Sequence, residues 1–204
     1  ARCGIGFYVC DAKIDALGTI TPRLGYAYGD LLVFGKAGAA WAHEKLNLAP
    51  TPGYGLTGTG IGNVWRWGWT VGAGLEYAFT SALSAKAEYN FIEFNNGKLG
   101  LTGLGSSNVA IEQQIHLVKL GLNYKLGEKT PFEHPLGRPG ELPAWKWTGF
   151  YGGLHVGGGW GMTDWKSADG TLDAISTFAF PGAGQANGSI VGGQIGFNRQ
   201  VGAW

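Results

Sequence analysis

The sequence predicts an all-β protein, an antiparallel up-and-down β-barrel of the transmembrane type. Three observations carry that expectation. Apolar and polar residues alternate with a period of two over long stretches, short and long connections alternate strictly between them, and glycine and aromatics are abundant while charge is scarce. The 204 residues include 38 Gly, 9 Trp, 8 Tyr and 10 Phe, with 14% charged residues and a formal net charge of +1. Glycine is at more than twice its usual level, and charge is well below the usual share of about a quarter. Apolar content is too high for disorder, and the glycines follow no three-residue repeat, which excludes collagen. A net charge of +1 provides no basic footprint, so no nucleic-acid partner is expected. The longest uncharged stretches, Leu46–Trp65, Trp147–Thr163 and Ala174–Asn198, are all broken by Gly or Pro and none reads as a membrane helix.

Each strand is justified by its own alternation. Trp65–Thr80 places Trp65, Trp67, Trp69, Val71, Ala73, Leu75, Tyr77 and Phe79 on one face, with Arg66, Thr70, Glu76, Thr80 and glycines on the other. A helix cannot produce that period. Lys13–Tyr28 sets Ile14, Ala16, Ile20, Leu24, Tyr26 and Tyr28 against Lys13, Asp15, Thr19, Thr21 and Arg23. Leu31–Glu44 is apolar on both faces apart from Lys36 and Glu44. Leu83–Phe91 alternates Leu83, Ala85, Ala87, Tyr89 and Phe91 with Ser84, Lys86, Glu88 and Asn90. His116–Leu126 alternates Val118, Leu120, Leu122, Tyr124 and Leu126 with Lys119, Gly121, Asn123 and Lys125. Thr148–Met162 and Gly188–Asn198 are Gly-rich strands with Phe150, Leu154, Val156, Trp160, Val191, Ile195 and Phe197 on the apolar side.

The connections sort by length. Tight turns are expected at Tyr28–Asp30, Thr80–Ala82 and Gln200–Gly202, and long Gly/Asn/Thr-rich connections at Lys45–Asn63, Asn95–Ala110 and Thr163–Asn187. All short turns therefore fall at one end of the sheet and all long loops at the other, as in outer-membrane barrels. In a bilayer each backbone N–H and C=O must be paired within the protein, so strands span only as a closed barrel with an apolar outer face and aromatic edges. Tyr28, Tyr77 and Tyr124, each at the short-turn end of its strand, and Trp65, Trp67 and Trp160 are the expected interface aromatics. Lys13, Asp15, Arg23, Lys36, Glu44, Arg66, Glu76, Lys86, Glu88 and Lys119 are expected to point inward. An eight-stranded barrel is just wide enough for side chains to fill, so these charges are expected to pair and plug the lumen, with an ion path as the alternative.

No catalytic residue, metal site or cofactor is expected. His43, His116, His134 and His155 show no paired-ligand spacing, and no nucleophile motif is present. His155 is expected to face the lumen, and His43 and His116 to lie near the long-loop ends. Cys3 and Cys10 are a candidate disulfide of an oxidising compartment, the alternative being two free thiols near a frayed end. The opening Ala1-Arg2-Cys3-Gly4 shows neither an initiator Met nor a basic-then-apolar leader and reads as a cut end.

The segment Trp147-Thr-Gly-Phe-Tyr-Gly-Gly-Leu-His-Val-Gly-Gly-Gly-Trp-Gly resembles the first strand of the small porin-family, or outer-membrane immunogenic, proteins of α-proteobacteria, which belong to the OmpA-like superfamily of eight-stranded barrels. Gly192-Gly-Gln-Ile-Gly-Phe-Asn resembles their second strand and Leu17-Gly-Thr-Ile-Thr-Pro-Arg-Leu-Gly-Tyr-Ala-Tyr the fourth. Gly68-Trp-Thr-Val-Gly-Ala-Gly-Leu-Glu-Tyr-Ala-Phe resembles the sixth, Leu83-Ser-Ala-Lys-Ala-Glu-Tyr the seventh and His116-Leu-Val-Lys-Leu-Gly-Leu-Asn-Tyr-Lys-Leu the last. Lys119, Gly121, Tyr124 and Leu126 are similar to the closing-strand signal read by the barrel-assembly machinery, with Leu126 where the family usually has Phe.

The resemblance implies seven strands of an eight-stranded barrel in rotated order: strands four to eight, then one and two. It divides the chain into 1–126, the last five strands with a preceding loop; 127–146, a periplasmic linker with Pro131, Pro135, Pro139 and Pro143; and 147–204, the first two strands of a following barrel or, by permutation, of the same one. The tandem fragment is the preferred explanation. Two unpaired sheet edges are expected in either case. The implied function is a structural, surface-exposed protein of the Gram-negative outer membrane, a cell-envelope surface antigen with long extracellular loops. The alternative is a narrow porin or small-ligand uptake barrel, and a soluble lipocalin-type barrel is more distant. Outer-membrane lipid and the assembly machinery are the implied partners, and the ligand of the loops is left open.

Overall fold

A computed structural model describes residues 2–5, 8–50, 60–100, 108–127, 146–167 and 183–204. They form a single antiparallel sheet of nine strands: β1 (Arg2–Ile5), β2 (Tyr8–Ile20), β3 (Arg23–Tyr28), β4 (Leu31–Pro50), β5 (Gly60–Ala78), β6 (Leu83–Gly100), β7 (Asn108–Lys125), β8 (Gly149–Ser167) and β9 (Ala183–Asn198). The order is β1-β2-β4-β5-β6-β7-β8-β9, with β3 also on β4. Ile20 faces Ala39 and Arg23 faces Lys36, so β2 and β3 share one register along β4. Pro22 interrupts the ladder because it has no N–H to donate. With β3 continuing β2 along β4, neighbours follow one another in sequence, which is the up-and-down pattern that the short turns predict.

The turns are built as their residues dictate. Gly29 supplies φ +60° between β3 and β4. Thr80 Oγ1 accepts from the N–H groups of Ala82, at 3.3 Å, and Leu83, at 2.9 Å, closing the β5–β6 turn. Lys125 at the end of β7 reaches across to β8, whose register runs from Val109↔Ser167 to Lys125↔Tyr151. The blocks on either side of the linker thus lie in the same sheet. The linker residues 128–145 are outside the described residues.

The sheet curls far enough to bring its ends together. Arg23 Nε on β3 donates to Asn198 Oδ1 on β9 at 2.9 Å, although the two strands stand at opposite ends of the order. Close strand approach depends on glycine: a Cβ on Gly68 would strike the Glu93 carbonyl, and one on Gly157 the Val118 carbonyl.

Two expectations are corrected. The long connections are shorter than the sequence suggests, because the ladders continue into them: β4–β5 pairing runs up to Leu48↔Gly60, β6–β7 to Gly100↔Asn108 and β8–β9 to Asp164↔Ala183. Residues 51–59, 101–107 and 168–182 are outside the described residues. Lys13 and Asp15 do not point inward. The register shifts between Ile14 and Ala16, a β-bulge that turns Ile14 inward opposite Glu44 and leaves Lys13 and Asp15 exposed.

Replacing Gly68 by Val should push β5 from β6 and cost about 1–3 kcal/mol, read as a lower urea midpoint of the folded protein. Gly188→Ala, where nothing lies within 4 Å of the added atom, should leave the midpoint unchanged.

Candidate functional site

The curled sheet has two surfaces of opposite chemistry, and alternation assigns each residue to one of them. On the inner surface, Leu32, Phe34, Lys36, Ala40, Ala42 and Glu44 of β4 follow one another from the short-turn end. β6 adds Ser84, Lys86, Glu88, Asn90, Ile92 and Phe94, and β7 adds Asn123, Lys119, Leu117, Ile115 and Gln113. Read across strands, these series form four layers.

The lowest layer is apolar: Leu32, Phe34, Ala78 and Trp147, with Ala27 packed against them. The second is a hydrogen-bonded charge network. Glu76 accepts from Arg23 Nη1 at 2.9 Å, Ser84 Oγ at 2.6 Å and Asn123 Nδ2 at 2.6 Å. Gln194 donates to Asn123 and accepts from Lys86, which links this carboxylate to the next. Glu88 lies within 3.0 Å of Lys36, 2.8 Å of Lys86 and 2.7 Å of Lys119. Its side chain is 1% exposed, so water cannot substitute for any of the three ammonium groups. Above it Ala40, Ala42, Ile92, Phe94, Ile115 and Leu117, joined by Ile14 and Leu17, form a second apolar layer. The top layer pairs Arg66 with Glu44 at 3.3 Å and with Gln113 Oε1 at 3.1 Å. The Arg66 guanidinium also lies 5.6 Å from the centre of the Phe94 ring.

Arg23, Lys36, Glu44, Arg66, Glu76, Lys86, Glu88 and Lys119 are therefore brought together inside the sheet, in two separate groups, and Lys13 and Asp15 are not. The neutral partners Ser84, Gln113, Asn123 and Gln194 were missed as site residues. Ser84, Gln113 and Asn123 share the parity of the charges on their strands, which was the available signal, whereas Gln194 lies on β9, where no charge marks the inner face.

The outer surface is apolar. Val33, Val71, Leu75, Val118, Leu120, Leu122, Leu154, Val156, Val191 and Ile195 are all exposed, Ile195 at 92%. Exposed apolar area of this extent does not face water in a monomer. Aromatics bound it at both ends: Tyr28, Tyr77, Tyr124, Phe150 and Phe197 near the short turns, and Trp65, Trp67, Trp69 and Trp160 towards the other. Tyr77 and Trp67 are ten residues apart on β5, roughly 33 Å along a strand and about 25 Å in height at the usual barrel tilt. That matches the apolar band of an outer-membrane barrel, about 25 Å tall.

Polar groups return just beyond the Trp edge. Asp15 lies 2.6 Å from His43 Nδ1 and 2.7 Å from Lys45, while the His43 ring sits 4.8 Å from Trp65. At the level of the Trp edge itself, His116 is opposite Trp160 in the ladder and stacks on its ring, and its Nδ1 lies 2.6 Å from Tyr89 Oη. His155 lines the interior. Lys119 and Gly121 of the closing-strand motif face inward, and Tyr124 and Leu126 outward. Cys3 and Cys10 are opposite each other in the β1–β2 register, and their side chains are outside the described residues.

Glu88→Gln removes the carboxylate that Lys36, Lys86 and Lys119 share and should destabilise the protein by about 3–5 kcal/mol in urea titrations in lipid vesicles. Asp15→Asn, on the exposed rim, should leave the midpoint in place.

The outer membrane protein beta-barrel domain family matches residues 7–125. The 31 kDa outer-membrane immunogenic protein of Brucella melitensis biotype 1 is 33% identical over 118 residues, covering 56% of this chain and 47% of that protein. The 25 kDa outer-membrane immunogenic protein of Brucella canis is 32% identical over 108 residues, covering 53% and 45%. The chain spans about half the length of the curated relatives it matches. No solved structure matches it. A family match over more than half of the chain, an apolar outer belt with aromatic edges and an all-antiparallel curled sheet agree: the chain belongs to the outer-membrane β-barrel protein family, and its place is the outer membrane.

Proposed function

We propose that this chain is a structural, surface-exposed barrel with a plugged lumen, which displays its long connections outside the cell and catalyses no reaction. One observation carries the reading. The Glu88 network pairs its charges with one another inside the sheet and is flanked by apolar side chains, Leu32, Phe34 and Trp147 below and Ile92, Phe94 and Leu117 above. An ion crossing those apolar flanks would lose its hydration with nothing to replace it. The relatives are named as immunogenic, which supports surface exposure of the connections. Residues 1–126 and 147–204 act in this reading as parts of one barrel in permuted order, supported by the unbroken β7–β8 ladder. Lipid is the partner of the outer belt. The barrel-assembly machinery is the proposed reader of Lys119, Gly121, Tyr124 and Leu126.

A narrow uptake barrel is the second reading, favoured by a cavity of about 810 Å³ beside Lys36, Lys86 and Glu88. Planar-bilayer recording separates the two. The purified protein should show no stable unitary conductance, and Ile92→Ser combined with Leu117→Ser should introduce one by wetting the upper apolar layer. Stable unitary events from the unaltered protein would overturn the plugged-lumen reading.

A further inference from the structure

Just above the Trp edge the outer face carries a conflict of charge. Lys13 of β2 stands directly opposite Lys45 of β4 in the ladder, and both side chains are exposed on the outer surface. Like charges facing each other across a strand pair destabilise it. Asp15 does not resolve the conflict. Its two oxygens are taken by His43 Nδ1 at 2.6 Å and Lys45 Nζ at 2.7 Å, and Lys13 has no ion-pair partner among the described residues. His43 is opposite Trp65, and Lys45 lies two residues further along β4. That is about 7 Å along the strand and about 5 Å in height beyond the aromatic edge, among the lipid headgroups.

Below the lysines the outer face of β4 is built of small residues. Ala39, Ala37 and Gly35 are exposed in succession. Ile20 and Leu24 stand opposite Ala39 and Gly35 on one side, and Trp69 and Val71 opposite Ala39 and Ala37 on the other. All four larger side chains are exposed, so they wall a furrow over four residues of strand, about 13 Å long. Its upper end lies under Trp41, whose ring folds over Gly18 of β2. Such a furrow by itself takes any hydrocarbon. The facing lysines at its head select what that hydrocarbon carries. A phosphomonoester bears about −1.5 to −2 charge at pH 7, enough to engage both ammonium groups at once, whereas a phosphodiester brings a single charge.

We propose that Lys13 and Lys45, with the furrow along β4, hold one lipid that bears a phosphomonoester headgroup, its phosphate between the two ammonium groups and an acyl chain over Ala37. This rests on the outer belt meeting lipid and adds the lipid class that one place on it selects. The full chain is refolded in nonionic micelles, checked by heat-dependent gel mobility, given equal amounts of phosphatidic acid and phosphatidylcholine, and measured by native mass spectrometry. One phosphatidic acid per chain should be retained in preference to phosphatidylcholine. Lys13→Gln with Lys45→Gln should weaken that retention about tenfold or more, the effect of losing two lysines at a headgroup. Asp15→Asn, which frees Lys45, should strengthen it, and Ala37→Phe, which fills the furrow, should weaken it without altering charge. All four positions are exposed, so each variant should keep its heat-dependent mobility. A heat-modifiable barrel that retains both lipids equally, or whose lysine variant retains phosphatidic acid unchanged, would overturn the proposal and leave the membrane reading standing. Loss of heat-dependent mobility in the unaltered chain would overturn both. Displacement of phosphatidic acid by inorganic phosphate, with no effect of Ala37→Phe, would assign the lysines to free phosphate and overturn the lipid.

Discussion

The structure depends on a single constraint: each strand must satisfy lipid on one face and a packed interior on the other while its backbone pairs with its neighbours. A period of two is the only way a strand meets that demand. It explains why tryptophans and glycines interleave along β5, where Trp67, Trp69 and Val71 are exposed and Gly68, Thr70 and Gly72 turn inward. A slip of one residue would carry Arg66 and Glu76 into hydrocarbon. At the bilayer midplane that costs about 2–4 kcal/mol for the arginine, so register and membrane position are set together.

The interior follows from the same alternation, with a different division of labour. Glu88 gathers Lys36, Lys86 and Lys119 from three strands, and Glu76 gathers Arg23, Ser84 and Asn123. These are the contacts that tie neighbouring strands across the lumen. The apolar layers above and below remove water from them, which strengthens each pair and raises the cost of leaving any of them unmatched. Packing and electrostatics are therefore one system here.

Most of the fold was legible in the sequence, because alternation over Trp65–Thr80 and Leu83–Phe91 leaves no other reading and the turns at Gly29 and Thr80 carry their own chemistry. What escaped has physical reasons. The bulge at Asp15 adds a residue without any Gly or Pro to mark it, so a strict period of two assigned Lys13 and Asp15 to the wrong face. The strands reach into segments such as Asn95–Gly100 because neighbouring ladders hold them there, against the turn preference of Asn and Gly. Leu32, Phe34, Ile92 and Leu117 share the parity of the charges. Their layers could not be separated from the polar network until the register set the heights of neighbouring strands.

The central claim is that one face of the sheet meets lipid and the other does not. Nitroxide labels placed singly at Val71, Ala73, Leu75, Ala85 and Ala87, and at Thr70, Ser84 and Asn90, test it most directly, in a background with Cys3 and Cys10 replaced by Ser. In lipid vesicles the first group should be readily relaxed by oxygen and shielded from a water-soluble nickel chelate, while the second should be shielded from both. Equal behaviour of the two groups, or access of the nickel chelate to Val71, Ala73 and Leu75, would contradict a membrane-spanning barrel.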